Sequence, residues 1–404
     1  MPVAKSIQEN LEKSSWIRRM FEEGIKLKQQ YGEDKVYDFS LGNPDLEPPK
    51  EFVEALKRAA ESTKTGKHAY MPNVGHAFAR KAMALKISLE HDVQLTEHDV
   101  VLTVGAAGAL NVILKTILNP QDEVVVIAPY FAEYFFYINN HRGILRVIEP
   151  HDDFLPDVAA LKRALNEKTT AVLINTPNNP TGRVYPEAII QEIAATLHDF
   201  GKQTGRYPYL IVDEPYRDIV YDGVVVPPVL HAYRESIVVS SFSKTLSIPG
   251  ERYGYIGVNP DISDKKLLID GFAMANRILG FVNAPALMQY AVSESWQSRP
   301  NIDRYHKRRD MLVMVIEQAS LSFAKPEGAF YLFCKVPESS RIIATETSDI
   351  TFALFLKKYN ILAVPGTGFG YPGFVRFSYC VPERVIERAR SALLQAVQEW
   401  RYQV

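Results

Sequence analysis

Cysteine is scarce in this sequence. Only Cys334 and Cys380 occur among 404 residues, too few for a disulfide framework and not spaced as a CxxC metal clasp. That usage fits a reducing compartment. No run of about 18 apolar residues occurs, and the amino terminus MPVAKSIQENLEKSSW lacks an apolar stretch of signal-peptide length. A chain with no membrane partner, residing in the cytoplasm, is expected. Excess charge is missing too: 46 Lys plus Arg against 47 Asp plus Glu leave a net charge of -1, which offers no broad field to nucleic acid or an anionic membrane. Any bound anion must then be held by a few placed groups, as in a small-molecule site. The nine histidines form no HExxH or other close set, so no metal is expected. The absence of repeats and low-complexity tracts speaks against a solenoid or a disordered scaffold.

What is present is material for a sizeable core: 47% of residues are hydrophobic, and the length suits two domains. From Trp16, WIRRMFEEGIKLKQQYG sets Ile17, Met20, Phe21 and Ile25 on one helical stripe that ends near Gly32. SLGNPDLEPP, from Ser40 to Pro49, is dense in turn residues and precedes a mixed-charge helical stretch from Lys50, which marks a domain crossover. Short apolar runs then alternate with helical stretches: VVLTV to Val104, VVVIA to Ala128, AVLINT to Thr176, YLIVDE to Glu214 and SIVVSSF to Phe242. Apolar on both faces, they read as strands of a mostly parallel sheet. Beyond about Ser293 the helical NIDRYHKRRDMLVMVIEQA leads to the strand-like AFYLFCKV, a further helix, the strand-like FVRFSYC and a closing amphipathic helix. The expected fold is α/β, with a mostly parallel central sheet flanked by helices over residues 49–292 and a smaller α+β domain built from 1–48 and 293–404.

Several strand ends carry chemistry. In SFSKTLSIPGER, Lys244 follows an apolar strand, where partial desolvation lowers an amine's pKa and frees it to attack an aldehyde. The residues alone also fit a solvated lysine on a loop. YLIVDEPY delivers Asp213 at a strand's carboxyl end, the side where open α/β sheets bind ligands, with Tyr216 three residues on. A helix cap and ordinary packing are the plainer readings. Turn chemistry alone accounts for Asn179, Pro180 and Gly182 in NTPNNPTGRVY. Arg376 in GFVRFSYC lies mid-strand among apolar residues, where an arginine needs something anionic, either a structural ion pair or a ligand.

DEPY, NNPTG and SFSK with GER, in this order, resemble the class I aminotransferases of fold-type I, the aspartate aminotransferase family that uses pyridoxal 5'-phosphate (PLP). The resemblance runs from SLGNP to GFVRFSYC. It implies transfer of an amino group between an L-amino acid and a 2-oxo acid such as 2-oxoglutarate, in ping-pong fashion. By motif, Lys244 is the residue that forms a Schiff base with PLP and shuttles the proton. Asp213 pairs with the ring nitrogen so that the ring serves as an electron sink. Tyr216 and Asn179 bond the ring oxygen. Ser241, Ser243 and Arg252, with the backbone N–H groups of Ala106 and Ala107, hold the phosphate. VGAAGAL lacks the side-chain hydroxyls that relatives often carry in that turn, so backbone contacts carry more. Phe131 takes the place of the stacking aromatic, with core packing as the alternative. Tyr70 matches the tyrosine that reaches the partner's phosphate, which implies a homodimer. Arg376, assisted by the backbone at Gly42 and by Asn179, grips the substrate carboxylate.

Gly368, Gly370 and Gly373 spell GxGxxG, but the loop holds Pro372 and runs into a strand-like segment, so a dinucleotide site is not expected. The same scaffold serves C–S lyases and enzymes like 1-aminocyclopropane-1-carboxylate synthase, which product analysis separates from a transaminase. PLP-sensing regulators add a DNA-binding domain, and here the family's own first helix comes almost at once, without a nucleic-acid footprint. Arg277 stands near an Asn-Pro-type turn where dicarboxylate-specific relatives place a distal-carboxylate arginine. It is one residue off the expected spacing, so an exposed or interface ion pair is the expected reading.

Overall fold

The structure is a computed structural model and describes residues 3–12, 16–340 and 348–402. Its strands are β1 (Tyr37–Asp38), β2 (Val100–Thr103), β3 (Glu123–Ile127), β4 (Ile144–Ile148), β5 (Thr169–Asn175), β6 (Tyr209–Asp213), β7 (Ser236–Ser241), β8 (Gly254–Val258), β9 (Tyr331–Lys335), β10 (Ile361–Leu362), β11 (Val364–Pro365) and β12 (Phe374–Ser378). Each of the apolar runs read as a central strand ends one residue earlier than the sequence suggested.

β2 to β8 form a seven-stranded sheet in the order β2-β8-β7-β6-β5-β3-β4. Pairings from β4 through β3, β5, β6 and β7 are parallel. Every residue of β2, β3, β5, β7 and β8 is buried, as expected where helices cover both faces. The two-residue alternation of a strand feeds two cores: Val125 and Ile127 join one cluster while Val124 and Val126 join the other. The sheet is α/β and mostly parallel, as the sequence implied. Two of its members were not anticipated. β4 (ILRVI) is an edge strand with exposed positions, and β8 (GYIGV) is the one strand that runs against the rest.

The remaining strands make an antiparallel set β11-β12-β9 and a parallel pair β1-β10 that joins Tyr37 to Ile361. Around them pack helices Ile302–Gln318, Ser348–Leu356 and Glu383–Tyr402, in a core that includes Leu312, Phe352 and Trp400.

Topology decides where a site can form. β2 and β7 both pair antiparallel with β8, so β2 runs parallel to β7 and all the parallel strands end at one edge. β8 begins at that same edge: Gly254 is opposite both Thr103 and Ser241. A Cβ on Gly254 would lie 2.6 Å from the carbonyl carbon of Gly105 and 2.8 Å from the Ser240 oxygen. Gly254→Ala is therefore expected to cost about 2 kcal/mol or more by forcing backbone to move. Urea unfolding of the variant against the parent checks this.

Candidate active site

The carboxyl edge of the sheet opens into a cleft of about 370 Å³. β7 passes from Ser241 straight into the short helix Phe242–Thr245, which turns Lys244 into the cleft. The Lys244 amine donates to the Gly42 carbonyl at 2.7 Å and lies 5.6 Å from the Phe330 ring centroid. Burial lowers its pKa to about 8, with Arg376 and Arg252 adding to the effect. The structure holds a part-buried amine rather than the solvated loop lysine.

β6 ends on Asp213. Its Oδ2 accepts from the Tyr134 hydroxyl at 2.6 Å, whereas the buried Oδ1 has no partner. Burial and the adjacent Glu214 charge raise this carboxyl to about 7, against the pull of the Tyr134 hydrogen bond. Asn175 supports the same strand end: its Nδ2 donates to the Asp213 carbonyl at 2.7 Å and its Oδ1 accepts the Asn179 N–H at 2.7 Å. Glu214 contacts His91 Nε2 at 2.9 Å and accepts from Arg217 Nη1 at 2.8 Å. Burial alone would raise it, but Arg217 and His91 hold it at about 2. Glu90, His91 and Glu214 have potential metal-ligand atoms within 4.8 Å of one another. Arg217 on Glu214 and Lys86 on Glu90 make the group an ion-pair network instead.

Arg376 rises from β12 and is 1% exposed. Nη1 donates to Asn179 Oδ1 at 2.9 Å and Nη2 to the Ser40 carbonyl at 2.6 Å, while Nε has no partner. Its guanidinium carbon lies 4.5 Å from the Tyr331 ring centroid and 4.8 Å from that of Phe369. Among the described residues no carboxylate pairs with it, so the structural ion pair weighed from the sequence is not what holds this arginine.

Opposite lies a cationic corner. Helix Gly105–Ile117 starts after β2 with no side-chain cap, and Ala106 and Ala107 in its first turn line the cleft. Uncapped first-turn N–H groups favour an anion. Gly105 has φ +75°, and a Cβ there would lie 2.9 Å from Arg252 Nη2. Glycine thus lets the guanidinium abut the helix end. Arg252 Nη1 also donates to the Pro249 carbonyl at 2.8 Å. Ser241 and Ser243 line the same cleft, as does Phe131, which meets Tyr134 edge-on with ring centroids 5.6 Å apart.

The cleft thus gathers every candidate except Tyr70, which is 92% exposed. Arg277 is exposed on helix Lys265–Ile278, its Nη2 3.1 Å from the Met274 sulfur, and does not line the cleft. Tyr134, Asn175 and Tyr331 were missed. So was Glu133, whose carboxyl burial raises. The signals available were slight: Asn175 closes an apolar strand, and Tyr134 stands three residues after Phe131. The donor set fits PLP: a part-buried amine for an aldehyde, a partnerless carboxylate oxygen for a ring nitrogen, and a cationic corner for a phosphate.

Residues 34–393 match the family model for aminotransferase class I and II. The chain belongs to that family. It is 31% identical to the probable aspartate/prephenate aminotransferase of Thermus aquaticus, covering 89% of this chain and 91% of the relative. Identity to the aspartate/prephenate aminotransferase of Thermus thermophilus is 30%, over 90% and 91%. Among solved structures, an amino transferase from Eubacterium rectale superposes with a TM-score of 0.92 at 34% identity, covering 99% of both chains. The Thermus thermophilus aspartate aminotransferase with maleate gives a TM-score of 0.85 at 26% identity, covering 98% of this chain and 100% of that one. This aminotransferase is a PLP-dependent transaminase.

Asp213 links the site to stability. Its pKa of about 7 stands above the ordinary value of 3.8, so the cofactor-free fold binds this proton more tightly than the unfolded chain does. The resulting stability is fully present below about pH 4 and is lost as pH rises through about 7. Asp213→Asn cannot ionise. Without cofactor it is expected to match the parent at pH 4 and to exceed it at pH 8 by about 2–4 kcal/mol, measured by urea unfolding at the two pH values.

Proposed function

We propose that the aminotransferase moves an amino group between an L-amino acid and a 2-oxo acid, with 2-oxoglutarate as one partner, in two half-reactions centred on Lys244. The reading is carried by one observation: the part-buried amine of Lys244, the partnerless oxygen of Asp213 and the carboxylate-free Arg376 face a single cleft. Bound PLP supplies an electrophilic carbon and an electron-withdrawing ring. Lys244 anchors it and then moves a proton at Nζ to and from the substrate Cα. Asp213 Oδ1, free of protein partners, would accept the ring N–H and favour its protonated form. Tyr216 and Asn179 would donate to the ring oxygen, and Phe131 would supply an apolar surface for the ring. Ser241, Ser243, Arg252 and the amides of Ala106 and Ala107 would hold the phosphate. Arg376 grips the α-carboxylate, with Asn179 and the Gly42 backbone beside it.

The same reading gives the working unit as a homodimer, in which the exposed Tyr70 of one protomer reaches the phosphate held by its partner. Residues 49–292 form the cofactor-binding domain, and 1–48 with 293–404 form the smaller one. The pairing of β1 with β10 supports that division. The cytoplasm is the proposed compartment. No described helix is long and apolar enough to cross a membrane.

Borohydride reduction of the yellow holoenzyme is expected to fix PLP on Lys244, and Lys244→Ala to lose both the link and nearly all turnover. Label on another lysine would overturn the assignment. Arg277 is proposed as a surface residue without a role in side-chain choice. Arg277→Ala should leave kcat/KM for aspartate, glutamate, alanine and phenylalanine within about twofold of the parent. A loss confined to aspartate and glutamate would instead assign it to the partner's distal-carboxylate pocket.

A further inference from the structure

We propose that Tyr331 is a positioning residue that serves both halves of the cleft: its hydroxyl sets the strength of Tyr216 as a donor, and its ring holds Arg376 without neutralising it. The proposal rests on the roles given above to Tyr216 and Arg376.

Sheet register brings the parts together. β9 and β12 are antiparallel, with Arg376 directly opposite Phe333. Tyr331 stands two residues before Phe333 and so shares its face, diagonal to Arg376. The guanidinium lies 4.5 Å from the Tyr331 ring centroid on one side and 4.8 Å from Phe369 on the other. Rings attract the cation but carry no net charge. A carboxylate in their place would cancel the charge that a substrate carboxylate must meet.

The other end of the side chain faces the cofactor side. Tyr331 Oη is 2.8 Å from Tyr216 Oη, and the two rings meet edge-on at 5.7 Å. Each hydroxyl has one proton. If Tyr216 donates into the cleft, the proton between the two oxygens must come from Tyr331. A hydroxyl that accepts one hydrogen bond donates the next more strongly. Tyr331 is 2% exposed, and burial raises its pKa to about 12, which keeps it a donor. Its position is tightly specified: a Cβ at residue 42 would fall 1.9 Å from its hydroxyl oxygen, so Gly42 leaves room for that oxygen.

The two ends can be removed separately. Tyr331→Phe keeps the ring and loses the hydroxyl, whereas Tyr331→Leu loses both. On each holoenzyme we would measure the pH midpoint of the visible absorption and the dissociation constant for 2-methylalanine, which carries a carboxylate and no α-proton. A donor to the ring oxygen stabilises its deprotonated form, so a weaker donor raises the midpoint. Tyr331→Phe is expected to raise it by about one pH unit and to leave the dissociation constant within about twofold. Tyr331→Leu should raise the midpoint likewise and weaken 2-methylalanine binding about tenfold or more. Tyr216→Phe is the reference: its midpoint should rise, and adding Tyr331→Phe to it should cause no further shift. If Tyr216→Phe shifts the midpoint and Tyr331→Phe does not, the coupling is wrong while the role of Tyr216 stands. If neither shifts it, the role of Tyr216 falls as well. Equal weakening of 2-methylalanine by the Phe and Leu variants would overturn the ring's hold on Arg376.

Discussion

The antiparallel pairing of β8 with both β2 and β7 is the constraint on which the cleft depends. It makes β2 and β7 end at one edge and β8 begin there, with Gly254 wedged between Thr103 and Ser241. Lys244 leaves that edge and Arg252 returns to it, so one short loop carries both the amine and the guanidinium. The helix after β2 starts at the same place. Its uncapped first turn and Arg252 are neighbours because Gly105 and Gly254 let backbones approach more closely than any side chain would allow. The anion corner follows from strand order, without any excess of basic residues in the chain.

Two adjacent carboxylates show how the same frame sets chemistry. Asp213 and Glu214 are both buried, yet burial lifts the first to about 7, while Arg217 and His91 hold the second at about 2. Their difference lies in partners. Glu214 is met by Arg217 on one oxygen and His91 on the other, whereas Asp213 has a neutral phenol on one oxygen and nothing on the other. A fixed negative charge behind a half-satisfied carboxylate makes that carboxylate a stronger hydrogen-bond acceptor. The network thus biases the site by its charge without entering the cleft.

Much of this could be read from the chain, for a physical reason. β2, β3, β5 and β7 are buried on both faces, so their apolar runs stand out, and the residues just past their ends fall at one edge. Position alone left Lys244, Asp213 and Asn179 with plainer readings, and it was the resemblance that singled them out, although each stands at or shortly after the end of such a run. β4 was missed because an edge strand tolerates exposed residues such as Arg146, and β8 because its two glycines weaken the strand pattern. Tyr134 and Tyr331 could not be seen, since their partners lie 79 and 115 residues away in sequence. Contacts across such separations leave no local pattern. They depend on register, which only the assembled sheets supply.

Arg376 draws these points together. An isolated guanidinium buried at 1% exposure is costly unless its donors are met. Here the Ser40 carbonyl and the Asn179 amide oxygen take two of its nitrogens, and two aromatic rings flank it. None of these neutralises it, and burial lowers its pKa from the usual arginine value. Neutral acceptors and ring faces fix its orientation while its charge stays unspent. A carboxylate that enters the cleft meets a pre-oriented fork and need not displace a competing anion. The unsatisfied oxygen of Asp213 and the uncapped helix turn follow the same rule on the cofactor side. The cleft is built from groups whose protein partners hold them in place and leave their chemistry to be completed by what binds.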